Sequence, residues 1–370
     1  MADTAASTAE GPTIALDAFG GDHCPGPEVE GAVTAARAGN RVVLVGDRGK
    51  LEHELGRFPG WDSLPLSIHH ASEVITMEDS PAKAVRSRPD ASMPVAFDLV
   101  RQGKADAVMS AGNSGAMLAC GLFKFRRIKG VDRPALVTSL PTRATDGWVA
   151  LLDVGANVDC KPLNLVQFAI MGAVYAGWKH GKARPRVGLL SNGTEEGKGT
   201  DLTRAVHELL GAHGSDDFEY VGYAEGGGLF DGRCDVVVTD GFTGNVALKV
   251  AEATGRMVGG WLRKAVTADW RSKLGALVLR GAFGRLRERM NPDSYGAAPL
   301  LGVDGVAWLC HGGASSRAIT IALQQAARSV DQGLTAALAD VLTRNAALVE
   351  AAKSRGNDGG NEAAAAAKEG

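Results

Sequence analysis

Short apolar, β-branched runs alternate with longer amphipathic stretches from about residue 13 to about residue 330. "TIALDA", "RVVLVGD", "LSIHHA", "ADAVMSAG", "PALVTSL", "WVALLDVGA", "PRVGLLS", "DVVVTDG" and "GVAWLCHGG" read as strands. Most are apolar at successive rather than alternate positions, the pattern of strands covered on both faces. Helical periodicities lie between many of them, including "LNLVQFAIMGAVYAGWKH" and "GNVALKVAEATGRMVGGWLRK". This alternation predicts a three-layer α/β/α sandwich around a large, mostly parallel (mixed) sheet. The expected organisation is a disordered N-terminus over 1–11, one α/β/α domain over 12–350 and a disordered, low-complexity tail over 351–370.

Six of the strands run into polar, glycine-rich turns: "AFGGD" (18–22), "SAGNSG" (110–115), "DVGAN" (153–157), "SNGTEEGKG" (191–199), "DGFTGN" (240–245) and "HGG" (311–313). Ligands of open α/β sheets bind outside the carboxyl ends of the strands, and each such turn offers backbone N–H groups and a helix start. Together they predict an anion-receptive rim, with Gly20, Gly21, Asn113, Ser114, Gly193, Thr194, Gly199 and Gly244 as candidate binding positions. The 191–199 turn is a near miss for a nucleotide loop. Only Thr194, Glu195 and Glu196 separate its glycines, and Gly199 stands where a magnesium-binding hydroxyl would follow Lys198.

Lys198 reads either as a cation for a bound anion or as a solvated lysine paired with Glu195 or Glu196. Asn245 reads either as a helix N-cap or as an amide donor to an anion, and Asn113 with Ser114 shares that ambiguity. His311 offers a general base or an acid for a leaving thiol, with a structural role the plainer reading. The pairs Asp17/Asp22 and Asp153/Asp159 lack a third ligand, so no metal, and no other cofactor, is expected.

Composition narrows the partners. Lys+Arg (40) and Asp+Glu (42) nearly cancel, which argues against nucleic acid. The five cysteines form no C-x-x-C pair, as in a reducing compartment. "MADTAASTAEG" lacks the features of a secretory signal, and no run approaches the roughly 18 apolar residues of a membrane span. A cytoplasmic protein is expected. One stretch departs from the even balance: 261–290, "WLRKAVTADWRSKLGALVLRGAFGRLRERM", holds eight Lys/Arg against two Asp/Glu. It reads as a basic amphipathic helical hairpin whose apolar tip (Leu274, Leu277, Val278, with Leu279 and Phe283), beside Arg280, suits an anionic membrane surface or an acidic partner. An interface between copies of the chain is the alternative. "FKFRRIKGVDR", with Arg126 and Arg127, is a second basic surface.

In this order the turns resemble the bacterial phosphate acyltransferase family of the PlsX type, acyl-acyl carrier protein:phosphate acyltransferase. The matching stretches are "IALDAFGGDHCPGPEV", "SAGNSGAML", "RIKGVDRPAL", "LLDVGANVDCKP", "PRVGLLSNGTEEGKG", "DVVVTDGFTGNVALK" and "YGAAPLLGVDGV", over about residues 13–330. Phe19, the Ser-Asn pair at 191–192 and "CHGGASS" depart from the usual pattern, and the last leaves His311 and Gly312 as its matching residues. The resemblance implies an isopropylmalate dehydrogenase-like fold, a homodimer, and attack of inorganic phosphate on the thioester of long-chain acyl carrier protein. The acyl phosphate would pass to a membrane glycerol-3-phosphate acyltransferase for phospholipid synthesis. A phosphotransacetylase-type, CoA-dependent enzyme is the alternative of the same chemistry, and a non-enzymatic membrane-surface scaffold for the carrier protein the alternative of another class. Direct attack by phosphate requires a positioned dianion, donors for the developing oxyanion and exclusion of water, so Lys198, Asn245 and His311 are the candidate catalytic residues.

Overall fold

The computed structural model describes residues 11–143, 147–290, 293 and 297–355. The segments expected to be disordered, 1–11 and 351–370, lie outside these residues except for Gly11 and 351–355, and 351–355 are helical. Where the pattern suggested one domain over 12–350, contacts divide the chain into two compact units, Met1–Arg126 with Asp304–Gly333, and Arg127–Val303 with Leu334–Gly370. The chain crosses between the units three times, after Arg126, Val303 and Gly333, and the pattern of strands and helices gives no mark of the boundary.

The described strands are β1 (Thr13–Asp17), β2 (Arg41–Gly46), β3 (Leu66–His70), β4 (Ala107–Ser110), β5 (Ala135–Pro141), β6 (Trp148–Leu152), β7 (Arg186–Leu190), β8 (Glu219–Ala224), β9 (Val236–Val238), β10 (Ala298–Leu301) and β11 (Val306–Leu309). The helices are α1 (Gly26–Arg37), α2 (Arg48–Leu55), α3 (Pro81–Ser87), α4 (Ser92–Arg101), α5 (Ser114–Cys120), α6 (Pro162–His180), α7 (Asp201–His213), α8 (Gly241–Val266), α9 (Trp270–Val278), α10 (Arg280–Met290), α11 (Ser316–Asp331) and α12 (Leu334–Arg344).

In the first unit the strand order is β3-β2-β1-β4-β11, parallel throughout. The chain leaves β1 toward β2 and β3 and returns to β4 on the other side, making β1/β4 a topological switch. In the second unit the order is β10-β5-β6-β9-β7-β8. There β6, β9, β7 and β8 are parallel, while β5 runs antiparallel to both β6 and β10. Its switch lies at β9/β7, since β7 leads to β8 on one side and the chain comes back to β9 on the other. The α/β/α class with a mixed, mostly parallel sheet is therefore the observed one.

Continuous apolar runs become strands buried on both faces. Ile14, Leu16, Val108, Met109 and Val236–Val238 are fully buried, each contributing on the order of 1.5–3 kcal/mol through apolar burial. Two strands carried no such signal. β8, "EYVGYA", lies at a sheet edge, alternates between exposed and covered residues, and is broken by a bulge opposite Val187–Leu189, where Gly222 takes φ 86°. β10 is four residues long and contains Pro299.

The basic 261–290 stretch comprises the end of α8, then α9 and α10. Gly275, Gly281 and Gly284 lie inside helices rather than at bends. The breaks fall at Thr267 and Leu279, and Asp269 restarts the helix by accepting the Ser272 N–H at 2.9 Å.

Candidate functional site

Because β1, β4 and β11 are parallel neighbours, their carboxyl ends share one edge of the first unit. Asp17 closes β1 and accepts the Phe19 N–H (3.2 Å) and the Ser110 hydroxyl (2.7 Å); Ser110 Oγ accepts the Gly112 N–H at 2.9 Å. Burial pushes the Asp17 carboxyl above the usual range, against the pull of those donors. Gly20 sits on this network: a Cβ there would lie 2.8 Å from Asp17 Oδ2, Ser110 Oγ and Gly112 N. The Asp22 N–H donates to Gly312 O at 2.8 Å, joining "AFGGD" to "HGG". His311 is exposed, and its Nδ1 accepts the Gly313 N–H at 3.1 Å, so the neutral ring carries its proton on Nε2.

Asn113 is the N-cap of α5, accepting the Ala116 N–H at 3.1 Å. Its amide donates to the carbonyls of Thr76, Met77 and Asp79 at 3.2, 3.3 and 3.4 Å. Both polar atoms of Asn113 are thus committed to the fold, and the exposed Ser114 follows it at the helix start.

A second cluster forms in the other unit at the carboxyl ends of β6, β9 and β7. Asp153 is fully buried and accepts N–H groups from Leu136, Gly155, Ala156 and Asn157 and the Asn157 amide, at 2.7–3.2 Å. Burial raises its pKa, opposed by the donors from Ala156, Asn157 and Leu136. The Asn157 amide also donates to Pro134 O (2.7 Å), and the Gly241 N–H to Asn157 O (2.7 Å). Gly244 presses on this turn so closely that a Cβ would lie 1.9 Å from Asp153 O. The start of α8 can pack here only with glycine at that position.

Asn245 is not a helix cap. α8 begins at Gly241 with Asp240 as N-cap, its carboxylate accepting the Thr243 N–H at 2.8 Å. Asn245 is instead an exposed residue early in the helix, its side chain 3.6–3.8 Å from where a Cβ on Gly155 would stand. The "SNGTEEGKG" turn follows β7, which pairs with β9 across the switch. Asn192 Oδ1 holds the Gly199 N–H at 2.9 Å, and Thr200 caps α7. The Lys198 stem crosses buried Gly193, with Cγ 2.7 Å from the position of a Cβ there. Lys198 is exposed; among the described residues no carboxylate, Glu195 and Glu196 included, lies within ion-pair distance of it. Thr194 is also exposed.

The six-turn rim is therefore two clusters of three, one at the topological switch of each unit. Gly20, Gly21, Asn113, Ser114 and His311 share the first; Gly193, Thr194, Lys198, Gly199, Gly244 and Asn245 share the second. Neither Cys24 nor Cys160 beside them is poised as a nucleophile. Burial pushes the Cys24 thiol up to about 11 and the Cys160 thiol up to about 12. The exposed Asn245 amide and an ammonium unpaired among the described residues suit binding of an anion and stabilisation of a developing oxyanion.

A family model described as "Fatty acid synthesis protein" matches residues 12–337. Proteins named "Phosphate acyltransferase" match over most of their length. That of Geobacter sulfurreducens is 49% identical over 328 residues, 88% of this chain and 93% of the relative. That of Anaeromyxobacter sp. (strain Fw109-5) is 45% identical over 342 residues, 92% and 94% of the two chains. The chain belongs to the phosphate acyltransferase family. It is an acyltransferase, of a family tied to fatty acid synthesis. A Streptococcus pyogenes phosphotransacetylase shares the fold at TM-score 0.58 and 14% identity, covering 88% of this chain and 95% of its own. The EutD phosphotransacetylase of Staphylococcus aureus does so at TM-score 0.53 and 16% identity, covering 86% and 94%.

In this acyltransferase the surface candidates belong to elements other than the six turns. Leu274, Leu277 and Val278 are exposed on α9, which buries none of its residues, and Arg280 opens α10. Arg126 is exposed at φ 67°, whereas Arg127 pairs with Asp132 and Lys124 with Asp98. The organising role of Asp153 was missed because it was weighed only for a metal pair and set aside for want of a third ligand. The Asp…Asn spacing of "DVGAN" was its available signal, that of a carboxylate collecting N–H groups of its own turn. Glu28 was missed too, although it falls on the apolar face of α1 with Ala32, Ala35 and Ala36.

Proposed function

We propose that the protein transfers a long-chain acyl group from the thioester of acyl carrier protein to inorganic phosphate, releasing acyl phosphate for phospholipid synthesis. The observation that carries this reading is Lys198, a cation without a carboxylate partner mounted over a glycine, on one of two clusters of donor-rich turns. Lys198 with the Gly193, Thr194 and Gly199 segment holds the attacking phosphate, and the Asn245 amide supports the oxyanion that forms on the thioester carbonyl. In the first unit, Gly20, Ser114 and the Nε2–H of His311 form a second set of donors suited to an anionic group of the substrates, on turns that Gly21 shapes. Phosphate brings its own ionised oxygen, so the site needs little general-base assistance. The experiment is a mass spectrum after mixing the protein, phosphate and either palmitoyl carrier protein or palmitoyl-CoA. Acyl phosphate from the carrier thioester supports the reading; turnover only with CoA favours the phosphotransacetylase type, and no product with either favours a scaffold.

The surface supports two finer points. α8 buries only Gly241 and Gly244, while Phe242, Val246, Val250, Met257, Val258 and Trp261 are exposed along it. Such an apolar stripe suits pairing with a second copy. Val250→Glu with Trp261→Glu is expected to convert a dimer to monomer in sedimentation equilibrium, and a variant that stays dimeric would exclude α8 as the interface.

Farther along, Leu274, Leu277, Val278 and Leu279 stand exposed among arginines and lysines, with Val278 at 80%. No helix among the described residues is long and apolar enough to cross a membrane. A basic apolar tip can instead enter the headgroup boundary from the cytoplasm. There it would release acyl phosphate beside the membrane glycerol-3-phosphate acyltransferase that takes it. Basic residues near an anionic surface contribute on the order of 1 kcal/mol each, weakened by salt. Leu277→Glu with Val278→Glu should abolish co-sedimentation with anionic vesicles while sparing acyl-phosphate formation in solution; equal pelleting of both proteins would reject the tip. Exposed Arg126, with Arg127, Lys129 and Arg133, is the surface left for docking an acidic carrier protein.

A further inference from the structure

Glu28 lies in the first turn of α1, yet it is only 2% exposed, and its Oε2 is buried with no hydrogen-bond partner. The carboxyl occupies the space a side chain on Gly21 would need: a Cβ there would lie 2.2 Å from Glu28 Oε1 and 3.2 Å from Gly312 O. The same turn is tied to Gly312 by the Asp22 N–H. Glu28 is therefore the floor beneath two of the three turns of the first unit, those of Gly20–Gly21 and His311–Gly312.

We infer that Glu28 is a positioning residue for acyl transfer: as the neutral acid it props the Gly20–Gly21 turn and, through Gly312, the His311 turn, and its ionisation releases both. This rests on the acyl-transfer reading of these turns. The charged neighbours explain why the acid must be neutral. Asp17 at the end of β1 and Asp22 in the turn are both carboxyls that disfavour a further negative charge. Cys24 in the same turn is a thiol, and α2 presents Lys50 toward Cys24 and Glu54 toward Gly26. From the β11 side comes His311, whose Nδ1 is already engaged. From α11, Ile319 and Thr320 pack on Gly31 of α1 and carry no charge. An ionised Oε2, buried here with no donor among the described residues, would carry an uncompensated charge.

Burial first, then Asp17 and Asp22, push Glu28 up from 4.5 to about 7, against the backbone N–H groups of Glu28 and Gly21. A carboxyl raised in the folded protein contributes its stabilisation fully below its unfolded value, 4.5, and loses it as pH rises through about 7. Activity that needs the neutral acid falls over the same upper limb.

The test compares the full-length wild type with Glu28→Gln, which keeps the shape and cannot ionise, and Glu28→Ala. Acyl-phosphate formation is followed against phosphate concentration from pH 6 to 8.5, and melting is followed at pH 5 and 8.5. The ionisation of phosphate affects all proteins alike and cancels in the comparison. Between pH 6 and 8.5, kcat/KM for phosphate should fall about thirtyfold more in the wild type than in Glu28→Gln, a loss of tenfold per pH unit above about 7. Glu28→Ala should lose activity at pH 6, where Glu28→Gln keeps it. Glu28→Gln should also melt higher than the wild type at pH 8.5 by more than at pH 5. Parallel pH profiles of wild type and Glu28→Gln, or an active Glu28→Ala, would overturn the role. A wild type that forms no acyl phosphate would reject the proposed reaction instead. Melting then decides Glu28 alone: equal differences at the two pH values would show that its carboxyl does not titrate as a prop.

Discussion

Lys198→Ala and Asn245→Ala should each reduce turnover by about 10²–10³-fold, the usual effect of removing one preorganised donor, about 2.7–4 kcal/mol at the transition state. Both side chains are exposed and contribute nothing to a core, so their melting temperatures should stay near that of the wild type. Lys198→Ala should raise KM for phosphate, because the ammonium is a point charge for the attacking anion. Asn245→Ala should act mainly on kcat, because an oxyanion exists only as the transition state is approached. Steady-state kinetics with separate variation of phosphate and acyl donor distinguish the two. Variants that turn over within threefold of the wild type would remove the second cluster from the mechanism.

Asp153→Ala carries the largest expected effect on stability. It would strip an acceptor from four backbone N–H groups, those of Leu136 and Asn157 buried, and from the buried Asn157 amide, which also braces Pro134. Each buried donor left without a partner costs about 1–3 kcal/mol, so even partial rescue by water leaves a loss of at least about 3 kcal/mol. Asp153→Asn keeps the volume but turns one acceptor into a donor facing donors, and should fall between wild type and Ala. Urea midpoints measured with the second unit's Trp148 or Trp178 as reporter give the order. An Ala variant within 1 kcal/mol of the wild type would mean that the turn is held by something else.

The turns themselves were legible in the sequence because glycine beside Asn, Asp or Lys after an apolar run has few other uses. Strands buried on both faces were legible for a similar reason: an unbroken apolar run such as that of β1 or β9 cannot face water. β8 and β10 were not, since an edge strand is half solvated and a four-residue strand with a proline has no period to read. Among site residues, the near-miss spacing around Lys198 pointed to an anion without magnesium. Of the two readings of Asn245 the cap fails, because its loop holds two candidate starts and the carboxylate of Asp240 captures the Thr243 N–H first.

By itself, then, the sequence determined the α/β class, the six glycine turns, the cation at Lys198 and the basic apolar tip, all properties of residues near one another in the chain. Only the tertiary structure decided which turns share a cluster, because that follows from strand order: β1 lies beside β4 and β4 beside β11, although nearly 200 residues separate β4 from β11. It also decided that Asp153 gathers the N–H groups of its own turn, that Lys198 has no carboxylate within ion-pair distance among the described residues, and that Glu28 is buried under Gly21. Each of these depends on what is packed against a side chain, and no local pattern specifies the neighbours that the fold brings from elsewhere.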